Sequence, residues 1–97
     1  MAITTTKFNI LDYLKTAEEQ AEYLRAAIDE DDPNFIAVAI GDIAKARGVS
    51  LFASETGLSR ETIYKSFRPG GNPTIETVNK ALKVLGLKLS LEPVKGV

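Results

Sequence analysis

Cysteine and histidine are both absent from the 97-residue sequence. Their absence removes disulfides, thiol catalysis, Cys/His zinc sites and histidine acid–base chemistry. No apolar run approaches the length needed to span a bilayer. The opening residues, MAITTTKFNI, carry neither a basic n-region nor an apolar h-region, so no secretory signal is expected. A cytoplasmic protein with no membrane partner fits these absences. Catalytic constellations are missing as well. The carboxylates fall at exposed helix ends, and no serine has a base to activate it. An enzyme, a bound metal and a cofactor are therefore not expected.

What remains is ordinary for one globular domain spanning residues 1–97: 44% hydrophobic and 26% charged residues. The net charge of −1 argues against a generally basic nucleic-acid binder, but it hides a split. Residues 1–57 carry five Lys/Arg and ten Asp/Glu, whereas residues 58–88 carry six Lys/Arg and two Asp/Glu. Phosphate contacts need local positive charge, not a basic whole. Two working surfaces follow, one for an anion and one for a cation. The bland alternative is that both blocks lie on solvated helix faces.

Helical punctuation recurs along the chain. Residues 1–7 are polar and expected to fray. Phe8, Ile10, Leu11 and Leu14 suit a short helix or an anchoring turn. Thr16 and Glu19 form a capping box, after which Ala17, Ala21, Leu24 and Ile28 repeat as an inward stripe. Glu18, Glu22 and Arg25 face away. Asp29, Glu30, Asp31 and Asp32 end this helix. They lack the ligand alternation and glycine of a calcium loop, and they suit the positive end of the next helix. Residues 1–31 thus read as an acidic helical extension. Asp32 caps the next helix, Pro33 occupies its first position and Gly48 stops it. Its apolar stripe is Ile36, Ala39, Ile40 and Ile43, and Gly41 invites close approach by a neighbour.

The organising stretch is residues 50–68, SLFASETGLSRETIYKSFR. Ser50 is expected to cap a helix that ends at Gly57, where a left-handed residue is needed. Leu58 turns inward and Ser59 caps a second helix. Ile63 and Phe67 fall four apart on one buried face. This is the pattern of a helix-turn-helix, whose second helix enters the DNA major groove. The loop Pro69–Pro73 breaks helix on both sides. A last helix over residues 74–85 turns Ile75, Val78, Leu82 and Leu85 inward, and Gly86 closes it. Leu87, Leu89 and Leu91 then alternate with polar residues, which predicts a β-strand over residues 87–92. It pairs with another chain or forms a tail packed on the helices.

On the second helix Arg60, Glu61, Tyr64, Lys65 and Arg68 point outward. Arg60 carries the fork that fits guanine O6 and N7, Glu61 can accept from cytosine N4, and Lys65 can reach guanine or phosphate. Tyr64 suits a phosphate or sugar. Ser59, Thr62 and Thr74 offer hydroxyls to phosphates, as do the free N–H groups at the two helix starts. One recognition helix reads too few base pairs for strong specificity, so a homodimer is expected.

Four stretches carry a family resemblance: DYLKTAEEQAEYL at 12–24, DPNFIAVAIGDIAKARGVS at 32–50, ETGLSRETIYKSF at 55–67 and GNPTIETVNKALKVLGLKL at 71–89. The sequence resembles the antidote (antitoxin) proteins of bacterial addiction modules, a HigA-like branch of the Xre/Cro helix-turn-helix class. Ser66 departs from the wider pattern, where a large apolar residue is usual, and Phe67 is expected to fill that space. The resemblance implies an all-helical DNA-binding protein; together with the residue patterns above, the expected fold class is all-α, a five-helix lambda-repressor-like helix-turn-helix domain with the N-terminal helical extension and the short C-terminal strand. It also implies double-stranded operator DNA as a partner, repression of its own operon, and neutralisation of a RelE/ParE-superfamily toxin. Such toxins are typically basic, so Glu18, Glu22, Asp29, Glu30 and Asp31 become the candidate toxin surface. The alternatives are a stand-alone repressor without a toxin and a protein-interaction module with a degenerate helix-turn-helix.

Overall fold

The computed structural model describes residues 9–94. The expectations for residues 1–7 and for Phe8 lie outside that range. The described residues form six helices: α1 Ile10–Tyr13, α2 Ala17–Asp29, α3 Pro33–Arg47, α4 Val49–Thr56, α5 Arg60–Ser66 and α6 Ile75–Val84. The fold is all-α, as expected, with one helix more than the expected five. The sixth is α1, the short helix that Ile10, Leu11 and Leu14 suit as the alternative to an anchoring turn; Asn9 Oδ1 accepts the Leu11 N–H at 3.0 Å. Leu14, directly after it, is buried.

Helix α3 runs through the middle of the core. Its Ala39, Ile40, Ile43 and Ala44 share one buried cluster with Leu24 of α2, Phe52 of α4, Ile63 of α5 and Leu82 of α6. Each large apolar side chain buried this way contributes about 1.5–3 kcal/mol relative to exposure. The alanines keep the neighbouring backbones close, so a short chain surrounds one helix on several sides.

Helix α2 starts at the predicted capping box. Glu19 N–H donates to Thr16 Oγ1 at 3.1 Å, and Thr16 N–H donates back to Glu19 Oε1 at 3.1 Å. Its buried stripe matches the predicted one only in the middle, at Leu24 and the half-buried Ala21. Ala17 and Ile28 are exposed, while Gln20 and Leu24 are buried and Tyr23 and Ala27 partly so. Gln20 takes a core position because both ends of its amide are satisfied. Its Nε2 donates to the Leu14 carbonyl at 3.2 Å, and its Oε1 accepts from Arg47 Nη1 at 2.8 Å. Arg47 also forks onto Glu55, with Nε to Oε1 at 3.2 Å and Nη2 to Oε2 at 3.3 Å. Three helices are thus tied at one polar node. Beside it, Tyr23 OH donates to Asp42 Oδ2 at 2.6 Å.

Gly48 serves two helices. It ends α3 and begins α4, at φ 95, a left-handed value that a side chain would strain. Helix α4 therefore starts at Val49, and the expected Ser50 cap is corrected: no side chain caps this helix. Ser50 lies inside the first turn.

Two further expectations are corrected near the C-terminus. Ile75 is 76% exposed; α6 buries Ala81 and, as expected, Leu82, with Val78 and Leu85 packed against the core. No strand occurs among the described residues, including 87–92. Alternating leucines favour an extended backbone, but a strand exists only where a second strand completes its hydrogen bonds. The chain instead leaves α6 through a left-handed Gly86, with Gly86 N–H to Lys83 O at 3.0 Å and Leu87 N–H to Leu82 O at 2.9 Å. Leu87 packs on the core, whereas Leu91 is 98% exposed.

Candidate functional site

The turn between α4 and α5 is fixed from within. Thr56 is buried; its Oγ1 donates to the Phe52 carbonyl at 2.7 Å and accepts the Leu58 N–H at 3.1 Å. Gly57 adopts the left-handed conformation at φ 79. Ser59 then caps α5, accepting the Thr62 N–H at 3.0 Å. These are local choices written in the sequence, and they set the angle at which α5 leaves α4.

The rear of α5 is seated by backbone as much as by side chains. Ile63 and Phe67 are buried, so Phe67 takes the core place left by the half-buried Ser66. Gly41 of α3 lies against the Phe67 carbonyl, and a Cβ there would collide with it. Gly71 lies just as close to the Ser66 carbonyl. The loop carrying Gly71 is itself pinned to the start of α3, where Gly70 N–H donates to Asn34 Oδ1 at 2.7 Å. Asn34 was not singled out from the sequence. Its role depends on a contact 36 residues away, which no local pattern signals.

The front of α5 is free. Arg60, Glu61, Tyr64, Lys65 and Arg68 line one open depression. Tyr64 is 56% exposed despite its size. Among the described residues, Arg60, Lys65 and Arg68 form no ion pair; the pairs there are Arg47–Glu55 and Lys80–Glu76. Arg68 Nε donates to the Lys65 carbonyl at 3.1 Å, which holds its guanidinium by the end of the helix. Thr62 is half-buried and its hydroxyl is bonded to Ser59 at 2.9 Å. Thr74 caps α6, accepting the Thr77 N–H at 3.1 Å. The hydroxyls of Ser59 and Thr74 are therefore already engaged in holding helix starts. Three unpaired cations and one carboxylate on a firmly seated helix can bind an anion and present forked donors to paired acceptors.

A model of the family described as probable addiction module antidote proteins matches residues 4–93. The chain belongs to that family. A Haemophilus influenzae protein described as uncharacterized is 40% identical over 85 residues, which cover 88% of each chain. No solved structure matches the chain significantly.

Family membership implies a toxin partner, which directs attention to the acids of this antidote protein. Glu18, Glu22, Asp29, Glu30 and Asp31 are all exposed, but they do not share one depression. Asp29 lies with Arg25 and Lys88 along a cleft beside the C-terminal tail. Glu30 lines a separate groove between α2 and α3. Asp31 has a local structural role: it turns the chain out of α2 at φ 61, with its N–H donating to the Ile28 carbonyl at 3.0 Å. Among the described residues, no helix is long and apolar enough to cross a membrane.

Proposed function

We propose that this antidote protein is a HigA-like, Xre/Cro-type regulator in which α4 and α5 form a DNA-binding helix-turn-helix. It binds its own operator, represses its operon and neutralises a RelE/ParE-superfamily toxin. It acts in the cytoplasm as a homodimer and has no catalytic role. The observation that carries the DNA half is the face of α5. Its cations are unpaired among the described residues, and its seating by Gly41 and Gly71 fixes their direction. Helix α5 has seven residues, enough for its first turn to reach base edges but for few base pairs per copy. Two copies related by a two-fold axis would read two half-sites. The toxin half rests on the antidote family.

Gel shifts on the upstream DNA of the gene, across a salt series, test the first half. Specific binding with a steep salt slope is expected. Binding no tighter to this DNA than to unrelated DNA would remove the regulator reading. Co-expression with the product of the adjacent reading frame tests the second half, with growth rescue as the readout. A toxic neighbour that the protein fails to rescue would remove it.

A further inference from the structure

Helices α2 and α3 leave an apolar groove between them whose lining includes no residue of α6. Its lining is Tyr23, Ala26, Ala27, Phe35, Val38 and Ala39. Phe35 is 47% exposed, an unusual state for a phenylalanine on a helix that otherwise supplies the core. Alanines at its base let another backbone approach closely, and Phe35 and Val38 form a wall.

The charges around this groove have one dominant sign. Glu30 lines it. Glu22 stands one turn from Ala26 on the same face of α2. Asp42 sits behind Tyr23, held by the 2.6 Å bond from its hydroxyl. The cation nearest on α2, Arg25, belongs to the cleft on the other side of the helix. Lys45 lies one turn beyond Asp42 on α3, at the end of the stripe. Two further hollows among the described residues differ. The one beside Ile75 and Pro73 has no charged residue in its lining, and the cleft along the tail mixes Arg25 and Lys88 with Asp29 and Glu92.

The geometry points to this groove as the docking site for a basic amphipathic helix of the toxin. The apolar ridge of that helix lies on Ala26, Phe35 and Val38, and its lysines or arginines meet Glu22 and Glu30. This assignment rests on the antidote reading and narrows the acidic surface to two of its five candidates. A second copy of this chain does not fit the same groove face to face, because like charges would oppose one another.

Two probes separate the groove from the reading it rests on. The first is a helical peptide about four turns long with leucines on one face and lysines on the other, beside a twin with glutamates for lysines. The full-length protein is expected to bind the lysine peptide and not its twin. Phe35→Ala and the pair Glu22→Lys with Glu30→Lys should each weaken binding about tenfold, the charge variant chiefly at low salt. Ile75→Ala, in the neighbouring hollow, should change nothing. Equal binding of both peptides, or equal loss with Ile75→Ala, overturns the groove. The second probe is the product of the adjacent reading frame, with circular dichroism confirming that each variant is folded. Rescue by the wild type but not by Phe35→Ala combined with Glu30→Lys is expected. Undiminished rescue by that folded variant overturns the groove as the toxin site. Failure of the wild type itself removes the antidote reading, and the peptide result still decides the groove.

Discussion

Replacing Gly41 by alanine is the sharpest perturbation of how α5 is held. The added Cβ would collide with the Phe67 carbonyl oxygen and sit 3.2 Å from the carbonyl carbon. Both are backbone atoms at the end of α5, so no side chain can swing aside. Either α3 shifts within a packed core or the end of α5 moves outward. Overpacking of this kind costs about 1–3 kcal/mol. Alanine recovers about 1 kcal/mol of helix propensity over glycine. The balance is a destabilisation of up to about 2 kcal/mol, or a fall in melting temperature of up to roughly 15 °C for a chain of this size. Urea and thermal denaturation measure it. Because the displaced atoms end α5, binding to the upstream DNA should fall in the same variant at temperatures where it is still folded. A more stable Gly41→Ala protein with unchanged DNA binding would refute the reasoning, since that is what a glycine facing open solvent would give.

Arg60→Ala should weaken binding by about 1–3 kcal/mol at one base pair of the operator and relax preference there; gel shifts on single-base operator variants measure it, and a uniform loss across them would assign Arg60 to phosphate. Tyr23 has its phenol pushed up to about 12 by burial, the hydrogen bond to Asp42 and that carboxylate's charge. The folded state therefore favours the protonated phenol. Its contribution is complete below pH 10 and declines between pH 10 and about 12. Solvent around the half-buried hydroxyl reduces it to about 1 kcal/mol. Denaturation midpoints against pH should lose that segment in Tyr23→Phe, and identical alkaline profiles would count against it. Asp31→Gly should raise stability by about 0.5–1 kcal/mol in urea titrations, because glycine adopts the φ 61 backbone without steric penalty.

The parts of this fold that were legible in the sequence are those decided within a few residues. Thr16, Asp32 and Ser59 cap the helices they were expected to cap, because a cap is a bond between neighbours along the chain. Gly57 and Gly86 stop helices for the same reason. Ser50 misled because Gly48 closes one helix and opens the next without a linker, so α4 begins before the serine. Errors of facing arose where tertiary contacts decide. Ile28 and Ile75 suit an inward stripe, yet Gln20 displaced the stripe of α2 by finding partners in Leu14 and Arg47. The leucines at 87, 89 and 91 have strand periodicity but no strand partner among the described residues. For the candidate site, the outward set on α5 was readable from helical spacing. Its seating by Gly71 and Asn34 was not, since both act across the chain.

The seating of α5 also separates two kinds of sequence constraint. Its rear is occupied by Ile63, Phe67 and the backbones at Gly41 and Gly71, where small changes of volume disturb the core. Its front carries Arg60, Glu61, Tyr64 and Lys65, all exposed. Exposed positions without structural bonds usually tolerate exchange within about 0.5 kcal/mol. New side chains can therefore be installed on this helix by point mutation while its placement stays the same. A chain of this architecture could change the chemistry of its exposed α5 face many times over without having to refold around each choice.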